Sequence, residues 1–296
     1  MRFNVERIVV GKKFYIDGLS YAGNPRSNTA MFITKKVEAL LQSLVSVKEC
    51  LIFAEEGLVV PEKLANKNAF VFSERPQLSY ARFAQQFADE QFEEEKSHRF
   101  LLSSEGYYFS DNVVIPKSAY IEPGCVIGPD VWIGENARIL AGTIIRHSTI
   151  GNYFYSNENA VIGANGFTMV DDECGNKLRT PSLGRVIIGN NVEIGAHDNI
   201  SRGSGGDTVI EDYVKLDALV YIGHDAHICS NVVIAAGSII GGFDVLDAHS
   251  YIGLNATLRN RIRIGDNALI GMGSTVTKSV EAGITVAGNP ARLFNK

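Results

Sequence analysis

His224 stands directly before Asp225, and eighteen residues further on stands Gly242. A neutral imidazole can take up a proton near pH 7, and a neighbouring carboxylate can orient the ring and raise its basicity. A glycine lets its backbone N–H approach a reacting group closely, because no Cβ intervenes. Together the three suit a reaction in which a nucleophile loses a proton while negative charge gathers on an oxygen. Taken one by one, they also fit a surface histidine and an ordinary corner at Gly241-Gly242. Of the six histidines, His224 and His227 lie three apart, which in a strand puts them on opposite faces. His98, His147, His197 and His249 fall in unrelated phases. A zinc centre needs several converging ligands, so no metal is expected and His227 is read as structural or solvent-facing. The four cysteines, Cys50, Cys125, Cys174 and Cys229, show no paired spacing and no basic sequence neighbour. They read as reduced thiols, not as a disulfide framework or a thiolate nucleophile.

What positions these residues is a repeat. From Ile222 the chain reads in sixes: IGHDAH, ICSNVV, IAAGSI, IGGFDV, LDAHSY, IGLNAT, LRNRIR, IGDNAL, IGMGST. Each block opens with Ile or Leu, the second residue is often Gly, and the fifth is usually small or β-branched. IEPGCV, IGPDVW, IGENAR and ILAGTI from Ile121, and single blocks from Ile150, Ile162, Ile188 and Ile194, do the same. A period of six is neither the helical 3.6 nor the strand period of 2. It fits a coil in which each block is a short strand plus a corner, the opening Ile pointing inward and the Gly turning the corner. Three blocks make one triangular turn, so positions stack every eighteen residues, as in a parallel β-helix. Gly242 is then one turn above His224, and Arg261 close to one turn above Gly242.

The repeat breaks at Phe167 to Arg185, a polar stretch that reads as a loop thrown out of the coil and a candidate substrate loop. A shorter Gly-rich break spans Gly203 to Thr208. Residues 1–105 lack the repeat. There FNVERIVV reads as a strand, Thr29 to Val47 has helical apolar spacing, ECLIFAEE reads as a buried strand and Ser79 to Glu95 as a helix. The expected organisation is a small α/β domain with a connector helix (1–105), a β-helix (106–280) with its loop at 167–185, and a tail (281–296). The fold class is mainly β. A formal charge of −5 gives no basic footprint for nucleic acid. No apolar run approaches the roughly 20 residues of a membrane span, and the first residues lack a secretion signal's apolar core. The expectation is a cytoplasmic protein without membrane insertion.

LSYAGNPRS (Leu19–Ser27), LSYARFAQQF (Leu78–Phe87), AVIGANGF (Ala160–Phe167), PSLGRVIIGNNVEIGA (Pro181–Ala196), ISRG (Ile200–Gly203), DTVI (Asp207–Ile210) and IGHD (Ile222–Asp225) resemble the UDP-3-O-acylglucosamine N-acyltransferases of lipid A synthesis over most of the chain. VTKSVEAGITVAGNPARLF (Val276–Phe294) is similar instead to CoA-dependent sugar acetyltransferases, and IGHD is shared with bacterial nucleotide-sugar N-acetyltransferases. The resemblance implies a left-handed coil and a homotrimer with active sites between coils. It also implies acyl transfer from a thioester to the amine of a nucleotide-linked amino sugar.

Carried over position by position, the resemblance makes His224 the general base, Asp225 its partner and Gly242 the oxyanion donor. Tyr21, Asn24 and Ser27 fall on positions that recognise uracil, with Ser27 replacing an aromatic. Arg261 replaces a second histidine and could grip a diphosphate as a fork. Gly271, Lys278 and Arg292 are expected along the path of a CoA donor. The leading expectation is an acyl-CoA-dependent N-acyltransferase acting on a UDP- or dTDP-linked amino sugar for O-antigen, capsule or other glycan precursors. The alternatives are the lipid A enzyme itself, which takes its acyl group from acyl carrier protein, and a non-catalytic nucleotide-sugar-binding solenoid. The intact spacing of His224, Asp225 and Gly242 argues against the last.

Overall fold

The computed structural model describes residues 2–294. By its contacts the chain forms two units: residues 2–94 with 167–184 and 204–206, and residues 95–166, 185–203 and 207–294. Both interruptions of the repeat thus contribute to the first unit. The last two residues of the expected 281–296 tail lie outside the described residues.

The second unit is a left-handed parallel β-helix. Each hexad contributes a two-residue strand such as Tyr221–Ile222 or His227–Ile228, and the strands stack into three parallel sheets. Registry recurs at one turn: Tyr221 pairs with Ile239, and His227 with Val245. The opening residues Ile222, Ile228, Ile234, Ile240, Leu246, Ile252, Ile264 and Ile270 are all fully buried in one continuous core. Their branched side chains fill the coil as a packed interior, not a pore.

The corners differ from the sequence expectation. The left-handed backbone falls on the fourth residue of each hexad, not on the second-position glycine. Asp225, Asn231, Gly237, Phe243, His249, Asn255, Arg261, Asn267 and Gly273 all have φ between 53° and 73°. The glycine serves a different need, close stacking of one turn on the next. A Cβ on Gly223 would lie 2.5 Å from the Gly242 nitrogen, and one on Gly253 would lie 2.7 Å from the Ile270 oxygen. The right-handed rule for parallel crossovers describes connections that pack back over a sheet. Here each connection is a corner of a few residues with one αL residue, so that constraint does not apply.

In the first unit a four-stranded parallel sheet runs in the order Gly18–Leu19, Thr29–Ile33, Leu51–Glu55, Ala69–Ser73. Both faces are covered. Ala30, Leu51, Phe53 and Ala69 pack with Tyr80, Phe83, Ala84 and Phe87 of the helix Pro76–Ser97. Met31, Ile33, Ile52 and Ala54 pack with Leu41, Leu44, Leu58 and Leu64 on the other face. That double burial explains a misreading. Thr29–Ile33 is a strand, and only Lys35–Ser46 is helical, as 3-10 turns interrupted at Val37. A strand buried on both faces loses the polar alternation that would separate it from a helix. FNVERIVV holds a strand only at Phe3–Asn4. Asn4 then caps a 3-10 turn, Val5–Arg7, its side chain accepting from the Glu6 N–H at 3.1 Å. The polar stretch after Phe167 is an antiparallel hairpin, Thr168–Asp171 with Lys177–Thr180. Among the described residues no helix is long and apolar enough to cross a membrane.

Candidate active site

The corner IGHD places His224 at the third position of its hexad and Asp225 at the left-handed fourth, with φ 58°. That backbone turns the Asp225 carboxylate onto the preceding ring: His224 Nδ1 lies 2.8 Å from Asp225 Oδ2. The Asp225 side chain is 1% exposed and the His224 side chain 14%. The Asp225 N–H donates to Thr208 Oγ1 at 2.9 Å, so the DTVI segment one turn below fixes the corner. A carboxylate only accepts hydrogen bonds, so Nδ1 donates to Asp225, and in the neutral tautomer this selects, Nε2 is the basic nitrogen.

Gly242 lies against that nitrogen. A Cβ built on Gly242 would sit 3.0 Å from His224 Nε2 and 3.2 Å from Cε1. On another side of the ring, a Cβ on Gly166 would come within 2.9 Å of His224 Cβ and Cδ2. The imidazole thus packs against two glycines, close enough that a methyl group at either would displace it. The Gly241–Gly242 turn is itself braced from inside the coil. Asp244, fully buried, accepts from the Gly241 N–H at 2.9 Å and from the Ile262 N–H one turn up at 3.0 Å. Burial pushes its carboxyl up to about 7, against the opposing pull of those backbone donors.

Arg261 occupies the same corner column as Asp225 and Phe243. Its guanidinium carbon lies 3.9 Å from the centre of the Phe243 ring. Phe243 in turn meets the His224 ring at 5.1 Å with an interplanar angle of 85°. The structure therefore brings His224, Asp225, Gly242 and Arg261 into one stack of corners. Gly271, Lys278 and Arg292 fall toward the C-terminal end of the coil. Gly271 meets Ala287 where its Cβ would be, and Lys278 is exposed. Arg292, also exposed, lies in a hairpin with Thr285–Ala287 that folds around Gly288-Asn289-Pro290-Ala291.

In the first unit, Tyr21 and Asn24 face each other across a tight turn, the Asn24 N–H donating to the Tyr21 carbonyl at 3.0 Å. Arg26 anchors the turn by donating to the Leu19 carbonyl at 2.9 Å. Gly205, from the second break in the repeat, closes on Ser20 and Tyr21, where a Cβ would meet backbone and ring at 3.1 Å. Ser27 Oγ accepts from the Lys48 N–H at 3.1 Å and so has a structural partner.

Thr208, Gly166, Phe243 and Asp244 were not singled out by sequence. Thr208 falls in the second break of the repeat, and Gly166 stands immediately before the first. Phe243 could have been found by the same count that gave Gly242, because it is eighteen residues beyond Asp225. Elsewhere, Glu211, His227 and Cys229 bring three potential ligand atoms within 4.8 Å of one another. Two of these groups already serve each other, His227 Nε2 lying 2.7 Å from Glu211 Oε1. Burial, with Glu211 and Asp247 nearby, pushes the Cys229 thiol up to about 11.

The family described as Bacterial transferase hexapeptide (six repeats) matches residues 112–147 and 207–242. A UDP-3-O-acylglucosamine N-acyltransferase of Coxiella burnetii (strain Dugway 5J108-111) is 34% identical over 252 residues, covering 78% of this chain and 72% of that one. One from Herminiimonas arsenicoxydans is 38% identical over 157 residues, covering 51% of this chain and 45% of that one. A solved UDP-N-acetylglucosamine acyltransferase from Campylobacter jejuni shares the fold, with a TM-score of 0.52 at 21% identity over 63% of this chain and 73% of that one.

Proposed function

The chain belongs to the UDP-3-O-acylglucosamine N-acyltransferase family, and we propose that it moves an acyl group from a thioester to the amine of a UDP-linked, 3-O-acylated glucosamine. The observation that carries this reading is the seat of His224: Nδ1 on the buried Asp225 carboxylate, Nε2 over Gly242. In the proposed reaction the sugar amine attacks the thioester carbonyl while His224 Nε2 accepts the proton it sheds. The Gly242 N–H donates to the oxyanion of the tetrahedral intermediate. Collapse re-forms a carbonyl as the new amide, breaks the C–S bond and releases the thiol, protonated from the imidazolium. No acyl-enzyme forms. Arg261 offers its fork to the diphosphate, and Tyr21, Asn24 and Ser27 hold the uracil. The working assembly is a homotrimer, which mass measurement would register at about three times the 32.2 kDa chain.

The named relatives favour this acceptor, and the family resemblance implies an acyl-carrier-protein thioester as donor in place of the acyl-CoA read from the tail. The CoA reading keeps one supporting observation, the GNPA-containing hairpin with Arg292 and, nearby in sequence, Lys278. An assay of amide formation on UDP-3-O-acylglucosamine with each donor separates the two. Transfer from the carrier-protein thioester, with CoA thioesters inert, is expected; the reverse pattern restores the CoA reading. His224→Ala is expected to cut turnover by about 10²–10⁴-fold in a folded protein, the usual worth of a general base. Turnover within threefold of wild type would remove His224 from the mechanism.

A further inference from the structure

Between Asp225 and Gly273 the left-handed corner of each hexad is Asp, Asn, Gly, Phe, His, Asn, Arg, Asn and Gly. Glycine, Asn and Asp tolerate positive φ, whereas a bulky apolar residue resists it. Phe243, at φ 63°, is the one apolar side chain of that series. A residue that runs against local preference beside a functional group calls for a reason, and its contacts supply one. The Phe243 N–H donates to the His224 carbonyl at 3.0 Å, and its ring stands at 85° to the imidazole with centroids 5.1 Å apart. The opposite neighbour is the Arg261 guanidinium, 3.9 Å from the ring centre, where cation and ring face attract. The Arg261 N–H also donates to the Gly242 carbonyl at 3.1 Å, so the backbones of the three turns are tied together as their side chains are.

We propose that Phe243 is a positioning residue that serves two groups at once. Its ring blocks rotation of the His224 imidazole and keeps Nε2 over Gly242, and it holds the Arg261 fork in place for the acceptor's diphosphate. This rests on the acyl-transfer reading above. Asp225 fixes the ring at Nδ1. The edge-on Phe243 ring adds a packing contact to the imidazole itself. The second task needs a flat apolar face, which none of the Asn, Gly or His corners provides in the same way.

The test uses steady-state kinetics of the full chain, varying the UDP-sugar and the acyl donor in turn. Phe243→Asn installs the residue found at three other corners of this series, Asn231, Asn255 and Asn267, so folding is preserved and the melting temperature should hold or rise. Turnover is expected to fall about tenfold, as small misplacements of a catalytic group do, and KM for the UDP-sugar to rise several-fold. Phe243→Tyr keeps the ring and should restore both. Arg261→Gln should raise the UDP-sugar KM alone, and adding it to Phe243→Asn should raise that KM little further, because both remove one interaction. Tyr213→Asn, at a left-handed corner of another column, should leave kinetics unchanged. Phe243→Asn with wild-type kcat, or additive KM effects of Phe243→Asn and Arg261→Gln, would overturn the proposal. His224→Ala, run alongside, tells the two failures apart. Activity surviving that change sinks the acyl-transfer mechanism, whereas its loss beside an unaffected Phe243→Asn sinks only the role of Phe243.

Discussion

At the scale of single residues, the site is made as much by side chains that are missing as by those present. Gly166 and Gly242 define the space around His224, and adding one carbon to either should be felt at once. Gly166→Ala and Gly242→Ala are each expected to lower kcat by up to about 100-fold through displacement of the imidazole, with little change in melting temperature. Equal kcat in either variant would show that the ring has room to yield. A different residue sets a pH response. His147 is buried at a left-handed corner, φ 47°, and its Nδ1 has no hydrogen-bond partner among the described residues. Burial, then the cations Arg202, Arg146 and Arg185, push its pKa down to about 3. The unfolded chain therefore binds a proton there that the folded one refuses. The neutral ring's contribution is present above the ordinary histidine range, near pH 6.5, and is lost as pH falls toward 3. Asp244, whose carboxyl is raised, works in the opposite sense over part of that window, so the useful quantity is a difference. His147→Asn should lose less stability than wild type between pH 6.5 and pH 4 in thermal unfolding. Parallel curves would mean that His147 is not the group responsible.

At the scale of the element, the hexad has two positions with separate demands. Where the second is Gly, the next turn passes close over it, and the fourth must accept positive φ. Gly253→Ala drives a Cβ to 2.7 Å from both the Ile270 oxygen and the Met272 nitrogen, so the turns must part. A loss on the order of 1–3 kcal/mol is expected, as for other overpacked sites. Leu219, 63% exposed at φ 63°, is the converse case. Leu219→Asn should stabilise by up to about 1 kcal/mol, since Asn adopts that backbone more readily. A urea or thermal melt in which the two changes share a sign would refute this division of the hexad. It was only half legible in the sequence. The period announced the coil and the inward Ile, but a glycine recurring at the second place looks like a corner until the stacking distance is known. Thr29–Ile33 was hidden for another reason, since burial on both faces leaves no alternation to read.

At the scale of the whole molecule, the proposed function assigns nucleotide binding and chemistry to residues of different units. The Tyr21–Asn24 turn belongs to the first, while His224, Gly242 and Arg261 belong to the coil. Stacking on a base acts equally on ground and transition states, so its loss should appear in KM and not in kcat. Tyr21→Ala removes a contact of about 1 kcal/mol. A several-fold rise in KM for the UDP-sugar is expected, with kcat and the donor's KM unchanged; a rise in the donor's KM instead would place Tyr21 on the other substrate. Sequence led to His224, Asp225 and Gly242 because the repeat converts a count of residues into a column in space. It could not give Gly166, Thr208 or the contacts of Gly205, because all three lie in or beside breaks where counting stops.

Those breaks leave the turns of the coil stacked, with a register shift between Ile162 and Ala164 beside the first. Tyr221 pairs with Ile239, but Thr149 pairs with Ile187 and Ile187 with Val209, offsets of 18, 38 and 22 residues for the same single step. Trp132 pairs with Thr149, an offset of 17. The architecture counts laps and ignores the length of each lap, provided the extra or missing residues fall at a corner. For a gene under mutation, insertions and deletions are then sorted by where they land. Within a two-residue strand they shift every inward side chain to the outside. At a corner they are harmless, and there new loops can accumulate, be trimmed and be tried against new substrates while the catalytic column beneath keeps its spacing.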